Sequence, residues 1–425
     1  MSKFTERLKY NPLTGHNRRG IAMILAITSL MFMVYIATEV TKDSAVEYVV
    51  NSQELNRLKA YYAARNGMQI ALLRVKLYQQ AAGLNLPPGL SDQLDLIWSF
   101  PFSWPLPISA ELNSVDRESM EEISNESLMD SSYTHTIQDE GSKIDMNDLA
   151  SPSKTLREVT KKQLLNIFTQ QIETNEDFRA EYQNTNFEDL VNRIYDWMSD
   201  SNESAGGGDK LSAFSQLGRG YPPNRGFRTI DELRLVPGMT DVFYELLAPR
   251  VTIYGMKAIN PNSASKEVLL SLDSGLSVEA VDEAIARRND PDKGGPFRGK
   301  TSAECLADFK STVERGSRLA PEFDQIPMIC DKVINFRITS TGLYGAGKFA
   351  IQKTITAVVL DINKSAQQIK TFVDKEKEEA GESPPPGTPA NPGAAPGTPP
   401  GPASGAPAQE PLPKGPPRIV YWTEN

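Results

Sequence analysis

The sequence predicts an α+β protein with one long N-terminal helix, an antiparallel sheet and a large inserted all-α domain. Residues 40–80 contain no Pro and a single Gly, and their apolar residues recur at helical spacing. Strand patterns occur at 133–137 and again at 333–341 and 349–361, whereas the residues from 155 to 330 have helical patterns. A chain that leaves β structure near 145 and returns near 333 indicates a helical insertion into a sheet.

The composition fits a folded protein of two or three domains. The chain has 425 residues, of which 39% are hydrophobic and 23% charged. A net charge of −9 gives no general attraction to nucleic acid or anionic membranes. Two His and two Cys, widely separated, argue against a His/Cys zinc site, while calcium or magnesium with oxygen ligands stays open.

The N-terminus predicts a membrane anchor. Residues 1–20 hold five basic side chains and one acid, and residues 21–38 form an uncharged run about long enough to span a bilayer. Basic residues before this run, with Glu39 and Asp43 after it, place the N-terminus in the cytoplasm and the bulk across the membrane. A cleaved secretory signal and a buried core helix are the alternatives. The run is longer than a usual signal, no small-x-small site follows it, and the helix continues to about residue 80.

Two features resemble catalytic or nucleic-acid-binding motifs. Asp139 and Glu140 are adjacent, but neighbouring strand side chains point to opposite faces and no base or nucleophile accompanies them. We therefore predict a turn with solvated acids and no enzymatic activity. Helix–turn–helix units follow, the first with capping-box spacing at Thr229 and Glu232. Similar hairpins bind DNA phosphates, but here acids adjoin both turns, namely Asp241, Glu245, Glu279, Asp282 and Glu283.

The charged leader ending in Arg18-Arg19-Gly20, followed by an apolar and then amphipathic helix, resembles a type IV prepilin signal. The resemblance implies cleavage by the prepilin peptidase after Gly20 and N-methylation of Ile21. Most pilins have a glutamate at the fifth mature position, where this chain has Leu25, a departure typical of a tip subunit. The segment 139–147, DEGSKIDMN, resembles the DEGGKINLN signature of the K-type minor pseudopilins of the type II secretion system, the GspK family.

This resemblance implies a pilin-like core interrupted by two SAM-like, helix-hairpin-helix domains. The boundaries it suggests are a leader (1–20), an assembly helix (21–80), pilin-like segments (81–148 and 331–363), two SAM-like domains (149–255 and 256–330) and a tail (364–425). It implies an inner-membrane protein with a periplasmic bulk that initiates the pseudopilus with the I-type and J-type minor pseudopilins. The major pseudopilin and the prepilin peptidase are further expected partners. A membrane-anchored DNA receptor is the alternative.

The family binds calcium in its helical domain, and this chain has an acidic, Gly-rich segment at the corresponding place. The candidate ligands are Asp196, Asp200, Asn202 and Asp209, whose oxygens suit calcium. A solvated polar loop is the alternative, because Asn202 stands where the family has an acid. Cys305 and Cys330 lie 25 positions apart, and a structural disulfide is favoured over two free thiols.

The C-terminal part has a different composition. Fourteen of the 30 Pro lie between 384 and 417, and few large apolar residues accompany them. We therefore predict a disordered tail over 364–425. The last apolar residues, 419–422, indicate a frayed terminus in preference to a short docking motif.

Overall fold

A computed structural model describes residues 13–82, 94, 96–107, 114–127, 129–218, 220–347, 350–379 and 418–425. The helices are α1 (Leu13–Ala82), α2 (Leu96–Ser99), α3 (Ser114–Glu126), α4 (Lys154–Thr174), α5 (Glu176–Tyr182), α6 (Phe187–Met198), α7 (Lys210–Phe214), α8 (Asp241–Leu247), α9 (Lys266–Ser271), α10 (Val278–Asn289), α11 (Ser302–Val313) and α12 (Ile362–Glu379). The strands are β1 (Phe102–Trp104), β2 (Ser131–Asp139), β3 (Ile144–Asp145), β4 (Val251–Thr252), β5 (Phe336–Tyr344), β6 (Ile351–Leu360) and β7 (Arg418–Glu424).

These elements form two compact units. The first unit comprises Met1–Asn66, Ser103–Tyr133 and Thr341–Thr354. The second unit comprises Gly67–Phe102, Thr134–Ser340 and Ile355–Asn425. A five-stranded sheet has the order β1-β2-β5-β6-β7, and β3 pairs with β4 in a separate parallel ladder.

Helix α1 is continuous from Leu13 to Ala82, as its Pro-free sequence predicts. Its portion Gly20–Ala82 is, among the described residues, the one helix whose length and composition suit a membrane crossing. The apolar side chains over residues 21–40 are exposed. A helix of 70 residues extends for roughly 100 Å at about 1.5 Å per residue, so it is long enough to continue well beyond a bilayer.

The strands confirm the predicted insertion. Alternate residues of β2, from Ser131 to Asp139, are buried, which is the period-two pattern expected of a strand with one covered face. The chain returns through β5, which lies between β2 and β6 in the sheet order. The return begins at Phe336, three residues later than the predicted start at 333. An α+β fold with a long N-terminal helix and an inserted helical region is therefore confirmed.

Within the first unit, β5 crosses α1 where only small residues allow close contact. Ala60, Ala63 and Ala64 are buried on this part of the helix. A Cβ atom at Gly342 would lie 2.1 Å from the carbonyl oxygen of Ala60 and 2.3 Å from the nitrogen of Ala64. The strand backbone can approach the helix backbone here only because residue 342 is Gly.

Helices α4 to α11 of the second unit share one apolar core. Phe168 of α4 stacks on Phe187 of α6 at 4.4 Å, and Phe243 of α8 meets Phe187 edge-on at 5.5 Å. Helix α4 also packs against α9, so residues from both predicted SAM-like domains contribute to the same core. The boundary between those two domains therefore stays a prediction.

The capping box predicted at Thr229 is wrong. The segment Ile230–Leu235 is a 3-10 helix, and the Thr229 side chain makes no capping hydrogen bond. The Glu232 carboxylate instead accepts from the guanidinium of Arg225 at 3.2 Å and from the backbone nitrogen of Arg228 at 3.4 Å. The Glu232 carboxylate therefore bonds to the Arg225 guanidinium instead of to the backbone at Thr229, because charge-assisted hydrogen bonds are stronger than neutral ones.

The C-terminal region differs from the predicted disordered tail. Helix α12 covers Ile362–Glu379, and its Glu376 accepts from the Ser153 hydroxyl and the Thr155 nitrogen at the start of α4. Strand β7 pairs antiparallel with β6, with Ile355 opposite Glu424. The predicted frayed end at 419–422 is therefore wrong, because β-branched and aromatic residues there complete a sheet edge. The Pro-rich residues 380–417 lie outside the described residues.

Candidate functional site

The predicted processing site lies in the exposed apolar part of α1. A Cβ atom on Gly20 would meet nothing within 4 Å, and Ile21 is 57% exposed. Leu25, at the fifth position after the predicted cut, is 64% exposed. These exposed residues lie on a surface that a bilayer or neighbouring helices can cover. Cleavage after Gly20 and methylation of Ile21 stay predictions.

The four predicted calcium ligands lie in different environments. Asp196, at the end of α6, is fully buried, and its carboxylate accepts from the Ser204 hydroxyl at 2.5 Å and the Ala205 nitrogen at 2.9 Å. Asp209 is the N-cap of α7 and accepts from the backbone nitrogens of the first turn. Asp200 and Asn202 are exposed. Asp196 and Asp209 thus have local hydrogen-bonding roles, and Asp196 alone of the four is buried, because Asp209 is exposed as well.

The sequence analysis missed Lys210, which is the buried cation of this loop. Its side chain is 1% exposed, and its Nζ donates to the carbonyl oxygen of Ser199 and, at 2.7 Å, to Oδ1 of Asn224. Burial lowers the pKa of Lys210, while the charges of Asp196 and Asp200 act in the opposite direction. No local pattern signals this burial, since a Lys after an Asp at a helix start usually faces solvent.

The residues present do not fit a calcium site. Calcium takes six to eight oxygen ligands around one point. Among the described residues, no group of three or more Asp, Glu, His and Cys side chains is arranged to hold a metal ion. The Asp196 and Asp209 oxygens already accept hydrogen bonds from the protein, and the Lys210 ammonium is close enough to Asp196 for their charges to interact.

The prediction that Asp139 and Glu140 are solvated is wrong, because both are buried, at 3% and 1% exposure. The Asp139 carboxylate accepts from the nitrogen of Gly141, from Nδ2 of Asn260 at 2.8 Å and from the Ser263 hydroxyl at 2.6 Å. Burial raises the pKa of Asp139 to about 6, although these donors favour the ionised form. The acid therefore ties the end of β2 to the segment before α9.

Glu140 and the residues after it form a second buried polar group. Glu140 pairs with Arg337 and accepts from the Thr252 hydroxyl. Lys257 pairs with both Asp145 and Asp148. Burial and the Asp145 charge raise the pKa of Asp148 to about 7, and the charge of Lys257 opposes this rise.

The signature segment therefore has a structural role in the described structure. Its acids are held by donors from other parts of the second unit, including Arg337 and Lys257. A cavity of about 20 Å³, roughly the space of one water, lies beside Asp145 and Asp148. A space of this size is too small for an organic substrate, whose pockets are usually several hundred Å³.

At the second hairpin turn, the Asp273 carboxylate and the Ser317 hydroxyl already accept from backbone nitrogens. At the second turn, the Asp273 carboxylate accepts from the nitrogens of Gly275 and Ala320. The Ser277 nitrogen, at the start of α10, donates to the Ser317 hydroxyl at 3.1 Å. At the first turn, Arg193 donates to the carbonyl oxygen of Pro237. At the second turn, a carboxylate thus takes the backbone hydrogen bonds that a phosphate would accept in a DNA-binding hairpin.

The paired arginines at the end of α10 are also engaged. Arg287 makes a bidentate ion pair with Asp308, at 2.8 and 3.1 Å. Arg288 donates to the carbonyl oxygens of Pro261 and Ala264. These contacts stabilise the helix end and use the donors that a phosphate would need.

Cys305 and Cys330 form a disulfide in the structure, with their Cα atoms 5.6 Å apart. Cys305 lies on the buried face of α11 and is fully covered. The bond closes a loop of 25 residues across the helical core, where the chain-entropy model assigns about 3 kcal/mol of stabilisation.

Comparison with known proteins finds a similarity over part of the helical region. Residues 142–256 match the family model of protein K of the type II secretion system (T2SS). One chain of the crystal structure of the GspK-GspI-GspJ complex from the enterotoxigenic Escherichia coli type 2 secretion system is similar, with a TM-score of 0.46 and 16% identity, over 74% of this chain and 95% of that one. No curated protein matches the sequence. Residues 142–256 thus form a domain similar to protein K of the type II secretion system.

Proposed function

We propose that this protein is the tip subunit of the type II secretion pseudopilus, where it initiates assembly and helps to move folded periplasmic proteins across the outer membrane. The observation that carries the proposal is the combination of a protein K domain with an exposed apolar helix at the N-terminus. A helix whose apolar residues are exposed over 21–40 needs a bilayer or other helices to cover it.

Leu25 supports the position at the tip. In a pilin with a glutamate at the fifth mature position, that carboxylate neutralises the N-terminal ammonium of the subunit ahead. Leu25 offers no such charge, so a subunit ahead of this chain would leave its ammonium unpaired in an apolar environment. A first subunit has no neighbour ahead, and a leucine at this position then costs nothing.

The large second unit supports the same position. The helices from α4 to α11, with their shared core, add bulk to the pilin-like strands. Bulk of this kind at the tip hinders addition of another subunit above it and leaves the underside of the assembly open to growth. Growth beneath the tip then pushes secreted proteins toward the outer-membrane channel.

The proposal includes processing and partners. The prepilin peptidase cuts after Gly20, Ile21 becomes the N-methylated first residue, and α1 stays in the inner membrane with the bulk in the periplasm. The exposed apolar helix pairs with those of the I-type and J-type minor pseudopilins, and the major pseudopilin adds below them. The protein acts as an assembly component and performs no catalysis.

The test is a secretion assay combined with analysis of the mature protein. A strain lacking this protein should accumulate its folded secretion substrates in the periplasm, and the full chain should restore export. Mass spectrometry of the membrane-extracted protein should find an N-methylated chain beginning at Ile21. Co-purification should recover the I-type and J-type subunits. A first residue near Thr38, or restored export without the two partners, would contradict the proposal.

A further inference from the structure

The loop between α6 and α7 is built around an internal cation. Lys210 is among the largest side chains that are fully buried in the described structure. Lysine is almost never fully buried unless its ammonium group is paired, because removing a charge from water is costly. The position of this side chain therefore requires groups of opposite polarity around it.

Oxygen atoms from both sides of the loop point at the ammonium group. The Ser199 carbonyl comes from the end of α6, and the Asn224 amide oxygen comes from the segment after α7, at 2.7 Å. Asn224 has a φ of 51°, in the left-handed region that Asn tolerates better than most residues. An ammonium can donate three hydrogen bonds and accepts none, so neutral oxygens of this kind are suitable partners.

Two carboxylates supply the opposite charge. Asp196 is fully buried and Asp200 is exposed, and both favour the charged form of Lys210. The Asp196 carboxylate also accepts hydrogen bonds from the Ser204 hydroxyl and the Ala205 nitrogen, and these bonds fix the part of the loop around residues 204–205. The backbone nitrogen of Lys210 donates to the Asn202 carbonyl oxygen at 3.3 Å. The loop is thus closed on both sides by contacts within the chain.

We infer that the Lys210 ammonium is the cation that holds this loop together, so that the protein closes the loop without calcium. A single positive charge with three donors replaces a divalent ion that would need six to eight oxygens. Asn202 is neutral, which limits the negative charge to be balanced in the loop and suits a monovalent ammonium better than a divalent ion.

The first experiment uses the wild-type full chain purified in detergent. Calcium titration by calorimetry should show no saturable binding, and the thermal unfolding midpoint should be the same in calcium and in chelator. Hydrogen exchange of the amides in 199–211 should also be unaffected by chelator. Saturable binding, a midpoint that rises with calcium, or faster exchange after chelation would overturn the inference.

The second experiment removes the charge. Lys210→Met keeps the length of the side chain but loses the ammonium, which leaves Asp196 buried without its counter-charge. We expect the unfolding midpoint to fall by about 5–10 °C and exchange in 199–211 to accelerate. The matched control is Lys293→Met, because the Lys293 side chain is 62% exposed and should change the midpoint little. Equal midpoints for the two variants would overturn the inference. If Lys210→Met does not fold, the calcium titration, unfolding and hydrogen-exchange measurements on the wild type still test whether the loop closes without calcium.

Discussion

The buried acids of the segment 139–148 show why single residues were misassigned from sequence. The rule that adjacent strand residues point to opposite faces does not apply to this pair, because Asp139 ends β2 and Glu140 begins a 3-10 helix. Both carboxylates are nevertheless buried. The Asn260 amide donates to Asp139, and the Arg337 guanidinium pairs with Glu140. These partners lie 121 and 197 positions away, so no local spacing reveals them. Lys210 was missed for a similar reason, since its acceptor Asn224 becomes a neighbour only in the folded loop.

His135 should make stability dependent on pH. Burial, with a smaller effect of the Arg74 charge, lowers the pKa of His135 to about 4, and its Nε2 lies 2.8 Å from the Arg74 guanidinium. The unfolded chain binds a proton near pH 6.5, whereas the folded protein resists protonation. Stability from this group is therefore full above pH 6.5 and falls as the pH drops, by about 2 kcal/mol between pH 7 and pH 5.

The variant His135→Gln tests this dependence. Gln keeps an oxygen acceptor for Arg74 but does not titrate. The free energy of unfolding should therefore fall less between pH 7 and pH 5 in the variant than in the wild type. A control comparison between pH 7 and pH 8.5, where His135 is neutral in both states, should show no such difference. Parallel pH profiles over the acidic range would show that His135 is not the group responsible.

The elements that sequence predicts best are those with a long or strict pattern. Helix α1 has a Pro-free apolar repeat over many turns, and β2 has strict alternation, and both are confirmed. Whether a short sequence motif forms its expected structure depends on which other contacts compete for the same side chains. Thr229 has the spacing of a capping box without forming one, whereas Thr301 forms one with Glu304. The difference is that Arg225 captures the acid at Glu232.

Strand β7 could not be predicted from its own sequence. Its seven residues follow a long Pro-rich segment, and a strand gains most of its stability from the neighbour it pairs with. That neighbour, β6, is identified only by the fold. The proline-rich composition of residues 384–417 differs from that of the rest of the chain, but it does not locate the strand that follows them.

Gly342→Ala should disrupt the crossing of β5 over α1. The added methyl group would lie 2.1 Å from the Ala60 carbonyl oxygen, and neither backbone can move far enough without breaking its hydrogen bonds. We expect a loss of about 3 kcal/mol or more, measured as a lower unfolding midpoint or loss of folded protein. Gly206→Ala is the control, because its nearest neighbour would be 3.4 Å away. Equal stability of the two variants would show that the crossing is looser than described.

Removing β7 should expose the edge of β6. A chain ending at residue 417 loses the pairing of Val358 with Tyr421 and of Ala357 with Trp422. The exposed edge would offer unpaired backbone groups to other chains. We expect a lower unfolding midpoint and concentration-dependent association, measured by calorimetry and light scattering.

A peptide of residues 418–425 provides the control for this truncation. Added in excess, it should restore the unfolding midpoint and suppress association, because it can pair with β6 in the same register. A scrambled peptide of the same composition should do neither. If the truncated chain matches the full chain in both measurements, β7 does not protect this edge.

The charge of the whole chain is consistent with a protein partner and not with DNA. Without residues 1–20, which hold five basic and one acidic side chain, the net charge changes from −9 to −13. The arginines that resemble a DNA-binding pair are engaged, since Arg287 pairs with Asp308 and Arg288 caps backbone carbonyls. The apolar side chains of α1 over residues 21–40 are exposed, and in the proposed function they form the surface for assembly.

Leu25→Glu tests whether the chain stands first in that assembly. A glutamate at this place needs the ammonium of a subunit ahead, and a tip subunit has none. An unpaired acid in the bilayer then costs ~3 kcal/mol, so recovery of the I-type and J-type subunits and protein export should both decrease. Leu25→Met, which keeps an apolar side chain of similar size, should behave as the wild type. If the glutamate variant assembles and exports as well as the wild type, a subunit ahead is supplying the missing charge, and the chain lies within the filament instead of at its tip.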